Sequence, residues 1–125
     1  MSKPILCLDF DGVLHSYTSG WRGAAIIPDK PVPGAIEFLN EATGEFDVHI
    51  FSSRSNQEGG IKAMRLWLKV VTYETFGVSP SWLDLIKWPT EKPPAHVTID
   101  DRAITFTGEW PSIEDLKDFK PWNKK

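Results

Sequence analysis

Apolar and polar positions along the chain follow two different periods. Short apolar runs, bounded by prolines, glycines or acids, are typical of buried strands. They predict about five strands, at residues 5–8, 46–51, 85–88, 97–99 and 103–106. Between several of these runs lie longer segments in which apolar residues recur every three or four positions, which indicates amphipathic helices.

Two segments carry the clearest helical pattern. One helix is predicted from Pro33-Gly34 onward and a longer one over residues 57–76, with Gly77 as its stop. The apolar residues that share a face are Ile36, Leu39 and Ala42 in the first helix and Ile61, Met64, Leu68 and Val71 in the second. Ser112 is typical of the cap of a further short helix.

Alternating strands and helices imply an α/β fold, in which parallel strands form a central sheet with helices on both faces. The length suits a single domain over residues 1–125. In such sheets ligands bind beyond the carboxyl ends of the strands. The residues that directly follow each predicted strand are therefore the candidates for chemistry.

The composition excludes several classes of protein and indicates a cellular compartment. The single cysteine, Cys7, excludes an intrachain disulfide and favours a reducing compartment. No apolar run approaches the roughly 18 residues that span a bilayer, and no signal peptide is evident. We therefore expect a cytoplasmic protein with no membrane partner. A net charge of −3 disfavours non-specific binding to nucleic acid, which needs a basic face.

Four acids lie at the ends of two predicted strands. Asp9 and Asp11 follow the first strand, and residues i and i+2 of an extended chain point the same way, so both can face one site. Asp100 and Asp101 follow the strand at 97–99. If these strands are neighbours, the like charges oppose each other's ionisation, and a hard cation relieves that conflict. Ligands that are all oxygen favour Mg²⁺.

A hydroxyl and an ammonium complete the candidate set. Ser52 follows the second strand, where its hydroxyl can donate to a phosphoryl oxygen, and Lys92 lies eight residues before Asp100. With the acids they supply what phosphoryl transfer requires: a nucleophile, a general acid and base, a metal and hydrogen-bond donors. Each residue alone has a structural explanation of equal weight, as a turn, a helix cap or a solvated lysine. Their joint placement at strand ends favours the functional one.

The same residues resemble the motifs of the haloacid-dehalogenase-like superfamily. Residues 8–14 (LDFDGVL) match its first motif and residues 48–52 (VHIFS) its second. Residues 92–95 (KPPA) match the third, a lysine, and residues 97–101 (VTIDD) the fourth. Receiver domains of response regulators use the same residue types, but their acidic pair lies on the first strand and their phosphorylated aspartate on the third. The order found here fits the hydrolases.

The resemblance implies a Rossmann-like three-layer sandwich and a role for each motif residue. Asp9 would be the nucleophile that forms an aspartyl-phosphate. Asp11 would act as general acid and then base, and its presence favours a phosphatase over a dehalogenase. Ser52 and Lys92 would hold the phosphoryl group, with Lys87 as the alternative lysine. The ligands of Mg²⁺ would be Asp9, Asp11 through its backbone carbonyl, Asp100, and Asp101 directly or through water.

Residues 12–31 are predicted to form a flap over the site. Only 41 positions separate Asp11 from Ser52, and the interval to the motif lysine is as short, which leaves no room for a cap domain. An open site suits large substrates or needs closure by another subunit, which makes a homo-oligomer an alternative. The candidate substrate contacts are His15, Trp21, Arg22, Ser53 and Arg54. Three have structural alternatives of their own: Trp21 as packing of the flap, Arg22 as a solvated side chain, and Arg54 as the partner of a nearby acid.

The sequence thus predicts a Mg²⁺-dependent phosphomonoesterase. Its substrate would be a nucleotide, a sugar phosphate or a phosphorylated polymer end. The alternatives are a phosphotransferase or mutase, which passes the phosphoryl group to an acceptor other than water, and a catalytically silent binding module. The complete set of motif residues argues against the silent module, because binding alone does not need all of them.

Overall fold

The sheet has three parallel strands. The computed structural model describes residues 2–124, in which β1 (Ile5–Leu8) lies between β2 (Asp47–Ile50) and β3 (Val97–Ile99). Leu8 is in register with Ile50 on one side and Ile99 on the other. All three strands therefore end at the same edge of the sheet.

Three α-helices accompany the sheet: α1 (Ala35–Glu45), α2 (Gly60–Phe76) and the short α3 (Ile113–Lys117). Two 3₁₀ helices cover Ser81–Leu85 and Trp122–Lys124. Both long helices were predicted, although α2 begins later than the pattern suggested. The predicted stop of α2 at Gly77 is confirmed, since the N–H of Gly77 donates to the carbonyl of Tyr73 at 2.7 Å. The predicted cap of α3 is confirmed as well, with Ser112 Oγ accepting from the N–H of Asp115.

The hydrophobic core lies between one face of the sheet and the two long helices. The side chains that point from the sheet into this core alternate along the strands, as the pleat requires. The fully buried members are Leu6, Leu8, Val48 and Ile50 from the sheet, Ile36 and Leu39 from α1, and Met64 and Leu68 from α2. Burying this layer is the main source of stability for the elements that carry the strand ends.

The prediction of a five-stranded, Rossmann-like three-layer sandwich is wrong. Residues 103–106 form no strand, and Ile104 and Phe106 are more than half exposed. At the predicted strand 85–88 only Lys87 pairs, as an isolated bridge to His49. The 3₁₀ helix Ser81–Leu85 precedes this residue and Pro89 follows it closely, so the extended segment is too short for a ladder.

The second face of the sheet, opposite the core, carries no layer of helices within residues 2–124. It carries Cys7, which is in register with His49 and Thr98. Both long helices contribute to the core on the opposite face, and α3 has no buried residue. The described chain therefore builds one helical layer against the sheet. Residues 2–124 contain no helix long and apolar enough to cross a membrane.

Candidate functional site

The candidate site lies where the three strands end. Asp9 follows β1, and its backbone N–H donates to the carbonyl of Ile99 at 3.0 Å. On the other side, the N–H of Phe51 donates to the carbonyl of Leu8 at 3.0 Å. The ladder thus continues one residue past each strand, which brings Asp9 beside Asp100 on one flank and close to Ser52 on the other.

Three of the predicted acids converge at this edge. We call Asp9, Asp100 and Asp101 the carboxylate cluster, because one ligand oxygen from each lies within 4.8 Å of the others. The Asp101 Oδ1 atom is buried and has no hydrogen-bond partner in the described chain. The neighbouring Gly12 has a φ of 82°, and a Cβ on it would overlap the Asp101 carboxylate. Glycine at this position is therefore required for the acids to meet.

The ionisation of Asp9 is strongly opposed by its surroundings. Burial, followed by a hydrogen bond with Asp101 and the charges of Asp100 and Asp101, raises the pKa of Asp9 from 3.8 to about 8. The hydrogen bond between two carboxyl groups requires that one of them carry a proton. Without a cation, the cluster therefore holds a proton at neutral pH.

The cluster has the donor chemistry of a hard divalent cation. Its ligands are carboxylate oxygens only, and Asp101 Oδ1 is a buried acceptor without a donor. A bound cation would satisfy that oxygen and remove the repulsion that keeps Asp9 protonated. The residues present therefore fit the Mg²⁺ predicted from the sequence.

Asp11 lies in a different environment, although it is only two residues from Asp9. Its Oδ1 atom is 2.9 Å from His15 Nδ1, and its Oδ2 atom accepts from Arg54 Nε at 2.9 Å. We call Asp11, His15 and Arg54 the flap cluster. Burial raises the pKa of Asp11, but the hydrogen bonds from His15 and Arg54 outweigh it and leave the pKa below its ordinary value. The Asp11 carboxylate is thus held ionised and is not part of the carboxylate cluster.

The hydrogen bonds of His15 determine which ring nitrogen carries the proton. The Nε2 atom accepts from the backbone N–H of Asp29 at 3.1 Å, so the proton of the neutral ring is on Nδ1 and is donated to Asp11. The ring is fully buried, stacks with Phe10 and lies edge-to-face with Trp67. His15 was predicted as a substrate contact, and in this structure both its nitrogens bind protein groups.

The second predicted strand end supplies a free hydroxyl hydrogen. Ser52 is buried, its backbone N–H donates to Ser55 Oγ at 3.0 Å, and its Oγ accepts from the N–H of Arg54 at 3.1 Å. The Ser52 Oγ–H has no acceptor among the hydrogen bonds of the described chain. It is therefore available to a ligand oxygen.

The two candidate lysines differ in their partners. Lys87 Nζ donates to Asp47 Oδ2 at 3.0 Å, and Asp47 opens β2, so this ammonium faces the amino-terminal edge. Lys92 is exposed and forms no ion pair with another described residue. Burial raises the pKa of the Cys7 thiol, and Lys92 lowers it while Asp9 raises it. The Lys92 ammonium thus lies within electrostatic range of the same thiol as the carboxylate cluster.

The remaining predicted substrate contacts are spread over the flap and the turn after β2. Trp21 is 46% exposed and covers the guanidinium of Arg54, whose Cζ is 4.8 Å from the ring centroid. Arg22 Nε donates to the carbonyl of Ser19 at 3.3 Å, and Ser53 is exposed. For Arg54 the structure shows the ion pair with an acid, one of the two alternatives stated from the sequence.

Two residues at the site were not among the site residues predicted from the sequence. Asp29 holds the flap by accepting from the N–H and the Oγ of Ser19, at 2.8 and 2.6 Å, and by donating its own N–H to His15. Trp122 Nε1 donates to the carbonyl of Gly12 at 2.8 Å. No local pattern marks either contact, because each joins residues that are distant in sequence.

Comparison with known proteins adds no name to this arrangement. A scan against protein-family models finds no match, and searches of curated proteins and of solved structures find no significant match. The resemblance to the haloacid-dehalogenase-like superfamily therefore rests on the motif residues described above.

Proposed function

We propose that the protein is a Mg²⁺-dependent phosphohydrolase that acts on phosphate monoesters through an aspartyl-phosphate on Asp9. The observation that carries this proposal is the convergence of Asp9, Asp100 and Asp101 within 4.8 Å at the carboxyl edge of the sheet, with Asp101 Oδ1 buried and unpartnered. A purely structural turn has no use for three carboxylates packed this closely, since their repulsion is unfavourable.

The cation would be held by the carboxylate cluster and would supply charge neutralisation for both the acids and the phosphate. In the ionised form of Asp9, one of its carboxylate oxygens attacks the phosphorus. The bond between phosphorus and the ester oxygen breaks, and the electron pair leaves with the ester oxygen. The product of this step is the alcohol and a phosphoryl group on Asp9.

Asp11 supplies and accepts the protons in this scheme. In the second step the Asp11 carboxylate accepts a proton from the water that attacks the phosphoryl group, and in the first step of the next turnover it passes that proton to the leaving oxygen. The second step releases inorganic phosphate and restores the Asp9 carboxylate. The hydrogen bonds from His15 and Arg54 favour the ionised form of Asp11, the form that the second step requires.

Ser52 and Lys92 would hold the transferring group. The free hydroxyl hydrogen of Ser52 can donate to a phosphoryl oxygen, and the ammonium of Lys92 adds positive charge from the second face of the sheet. Lys87 is unsuited to this role, because its ammonium is paired with Asp47 at the opposite edge.

The test is hydrolysis of an aryl phosphate with and without Mg²⁺ by the wild type, Asp9→Asn and Asp84→Asn. Asp84 is the matched control, since it is an exposed aspartate outside the site. The wild type and Asp84→Asn should hydrolyse the ester only with Mg²⁺, and Asp9→Asn should lose about 10³-fold or more of the rate.

Three results would count against the proposal. Equal turnover by Asp9→Asn and wild type would remove Asp9 as the nucleophile. A wild type that binds Mg²⁺ but leaves a broad panel of phosphate esters intact would favour the binding module instead. Transfer of the phosphoryl group to added alcohols in preference to water would indicate a phosphotransferase.

A further inference from the structure

The side chain of Arg54 is completely buried, which is rare for an arginine. A buried guanidinium is unfavourable unless its N–H groups find acceptors. Its Nε donates to Asp11 Oδ2 at 2.9 Å. Its Nη1 lies within hydrogen-bond distance of three flap carbonyls, those of Gly23 at 2.9 Å, Ala24 at 2.9 Å and Ile26 at 3.2 Å. The Nη2 atom is buried and has no hydrogen-bond partner among the described residues. Through Nε and Nη1, one rigid planar group joins Asp11 to the backbone of the flap.

The backbone of Arg54 is itself held in place. Its N–H donates to Ser52 Oγ at 3.1 Å, so the arginine is tied to the hydroxyl predicted to hold the phosphoryl group. A Cβ on Gly60 would overlap the carbonyl oxygen of Arg54, so the first turn of α2 approaches this backbone too closely for a side chain. Trp21 then covers the face of the guanidinium from the solvent side. Arg54 is therefore fixed from the sheet edge, from α2 and from the flap.

We propose that Arg54 is a positioning residue that sets Asp11 and the flap in one fixed relation to Ser52. This inference rests on the proposed function, because the position of Asp11 matters only if Asp11 moves protons. The charge of Arg54 is not sufficient for this role. The role needs the planar fork, since Nε and Nη1 point at acceptors on two different parts of the chain.

The second contact of Asp11 supports a positioning role and not a simple charge balance. His15 already holds Oδ1, so Arg54 reaches only Oδ2. With both oxygens engaged by groups from different segments, the carboxylate plane cannot rotate. A lysine at position 54 could still neutralise Asp11, but one ammonium on a flexible stem cannot also hold the flap carbonyls.

The kinetic test compares the wild type with Arg54→Lys and Arg54→Met, and uses Arg65→Lys as the matched control on the exposed side of α2. Steady-state rates of aryl phosphate hydrolysis with Mg²⁺ give kcat and KM for the folded protein. We expect both Arg54 variants to lose about 10²-fold in kcat, with KM within about threefold of the wild type. Full activity in Arg54→Lys would overturn the proposal, because charge alone would then suffice.

A second measurement tests the link that Arg54 forms between Asp11 and the flap, and it does not depend on catalytic activity. The N–H of Ile26 donates to the carbonyl of Gly23, which Arg54 also binds, so hydrogen exchange at Ile26 reports on the flap. Exchange should be at least about tenfold faster in Arg54→Lys and also in Asp11→Asn, which removes the anion at the other end of the link. Unchanged exchange in both variants would overturn the proposal. If exchange is faster in both variants but the wild type hydrolyses no phosphate ester, the link formed by Arg54 is supported and the proposed function is wrong.

Discussion

Two carboxylates at the end of β1 have opposite surroundings. Asp9 faces two other acids, and its pKa is raised to about 8, whereas Asp11 faces an arginine and a histidine, and its pKa is lowered. The two residues are separated only by Phe10, which is fully buried and anchors the chain between them. The difference comes from the segments that each side chain meets: Asp9 meets the residues after β3, and Asp11 meets the flap and the turn after β2.

This contrast divides the proposed chemistry between two clusters. The carboxylate cluster lacks positive charge and is completed by a cation that comes from solution. The flap cluster already contains its cation, Arg54, which is paired with Asp11. Pairs of titratable groups with pKa values shifted apart are typical of acid and base assignments in active sites. In the proposed reaction Asp9 depends on the bound metal, and Asp11 depends on the folded flap.

The largest effect is expected from Asp11→Asn. The variant retains the carboxylate cluster but cannot donate or accept the reaction protons, so kcat for an aryl phosphate should fall by about 10²- to 10⁴-fold. The measurement is steady-state hydrolysis with saturating Mg²⁺, below the melting temperature of each protein. Asp84→Asn is the control, and a normal kcat in Asp11→Asn would end the division of roles between the two aspartates.

His15→Asn should destabilise the fold. The shorter side chain cannot reach both Asp11 and the N–H of Asp29, which leaves buried polar groups without partners and lowers the free energy of unfolding by about 1–3 kcal/mol. Urea unfolding followed by tryptophan fluorescence gives the value. The exposed His96 provides the control variant His96→Asn. If the two histidine variants were equally stable, the flap cluster would not be held together through His15.

The affinity for Mg²⁺ should depend on the carboxylate cluster and not on the side chains of the flap cluster. Asp101→Asn removes one converging oxygen, so the affinity for Mg²⁺ should fall by about tenfold or more. Asp11→Asn should change that affinity much less, because its side chain lies outside the carboxylate cluster. Isothermal titration with MgCl₂ at pH 7.5 measures both values. Equal losses in the two variants would show that the side chains of both clusters bind one cation.

The remaining prediction is a pH dependence of stability in the absence of Mg²⁺. Between pH 5 and 8 the folded protein keeps a proton on Asp9 that the unfolded chain, with a pKa near 3.8, has lost. The free energy of unfolding should therefore fall as the pH rises through this window, by at most about 1.4 kcal/mol per pH unit. Acids with a lowered pKa, such as Asp11 and Asp29, lose their contribution only as the pH falls towards 4.

Urea unfolding at several pH values, with a chelator, tests this dependence. Asp9→Asn removes the titrating group, so its stability should vary less with pH over the same window. Saturating Mg²⁺ should flatten the curve of the wild type, since the cation takes the place of the proton. A wild-type stability that rises from pH 5 to pH 8 would contradict the raised pKa of Asp9.

The sequence was sufficient to place the acids, because their positions follow from simple rules. Asp9 and Asp100 directly follow short apolar runs, and parallel strands end at one edge of a sheet. The two long helices were equally accessible, since Met64, Leu68 and Val71 recur at helical spacing and are buried as that spacing requires.

Two physical reasons explain why strands were predicted that do not form and why the flap cluster was not predicted. Apolar composition at residues 103–106 does not create a strand without a neighbouring strand to pair with, and the pairing depends on the whole fold. The bonds of Asp11 to His15 and Arg54 require the flap to fold back over the sheet edge, and the geometry of an irregular loop has no period in the sequence. Arg54 could be named from its place after Ser52, but its partner among the acids could not.

The contact between Trp122 and Gly12 has a consequence for the order of events during synthesis. The loop that begins at Gly12 is made first, yet the indole that binds its carbonyl is translated 110 residues later. Asp9 likewise meets Asp100 and Asp101 only after most of the chain has been translated. A nascent chain can therefore build the helical core around α1 and α2 while Asp9 is still free of its acidic neighbours. The repulsion within the carboxylate cluster arises last, against a core that is already formed.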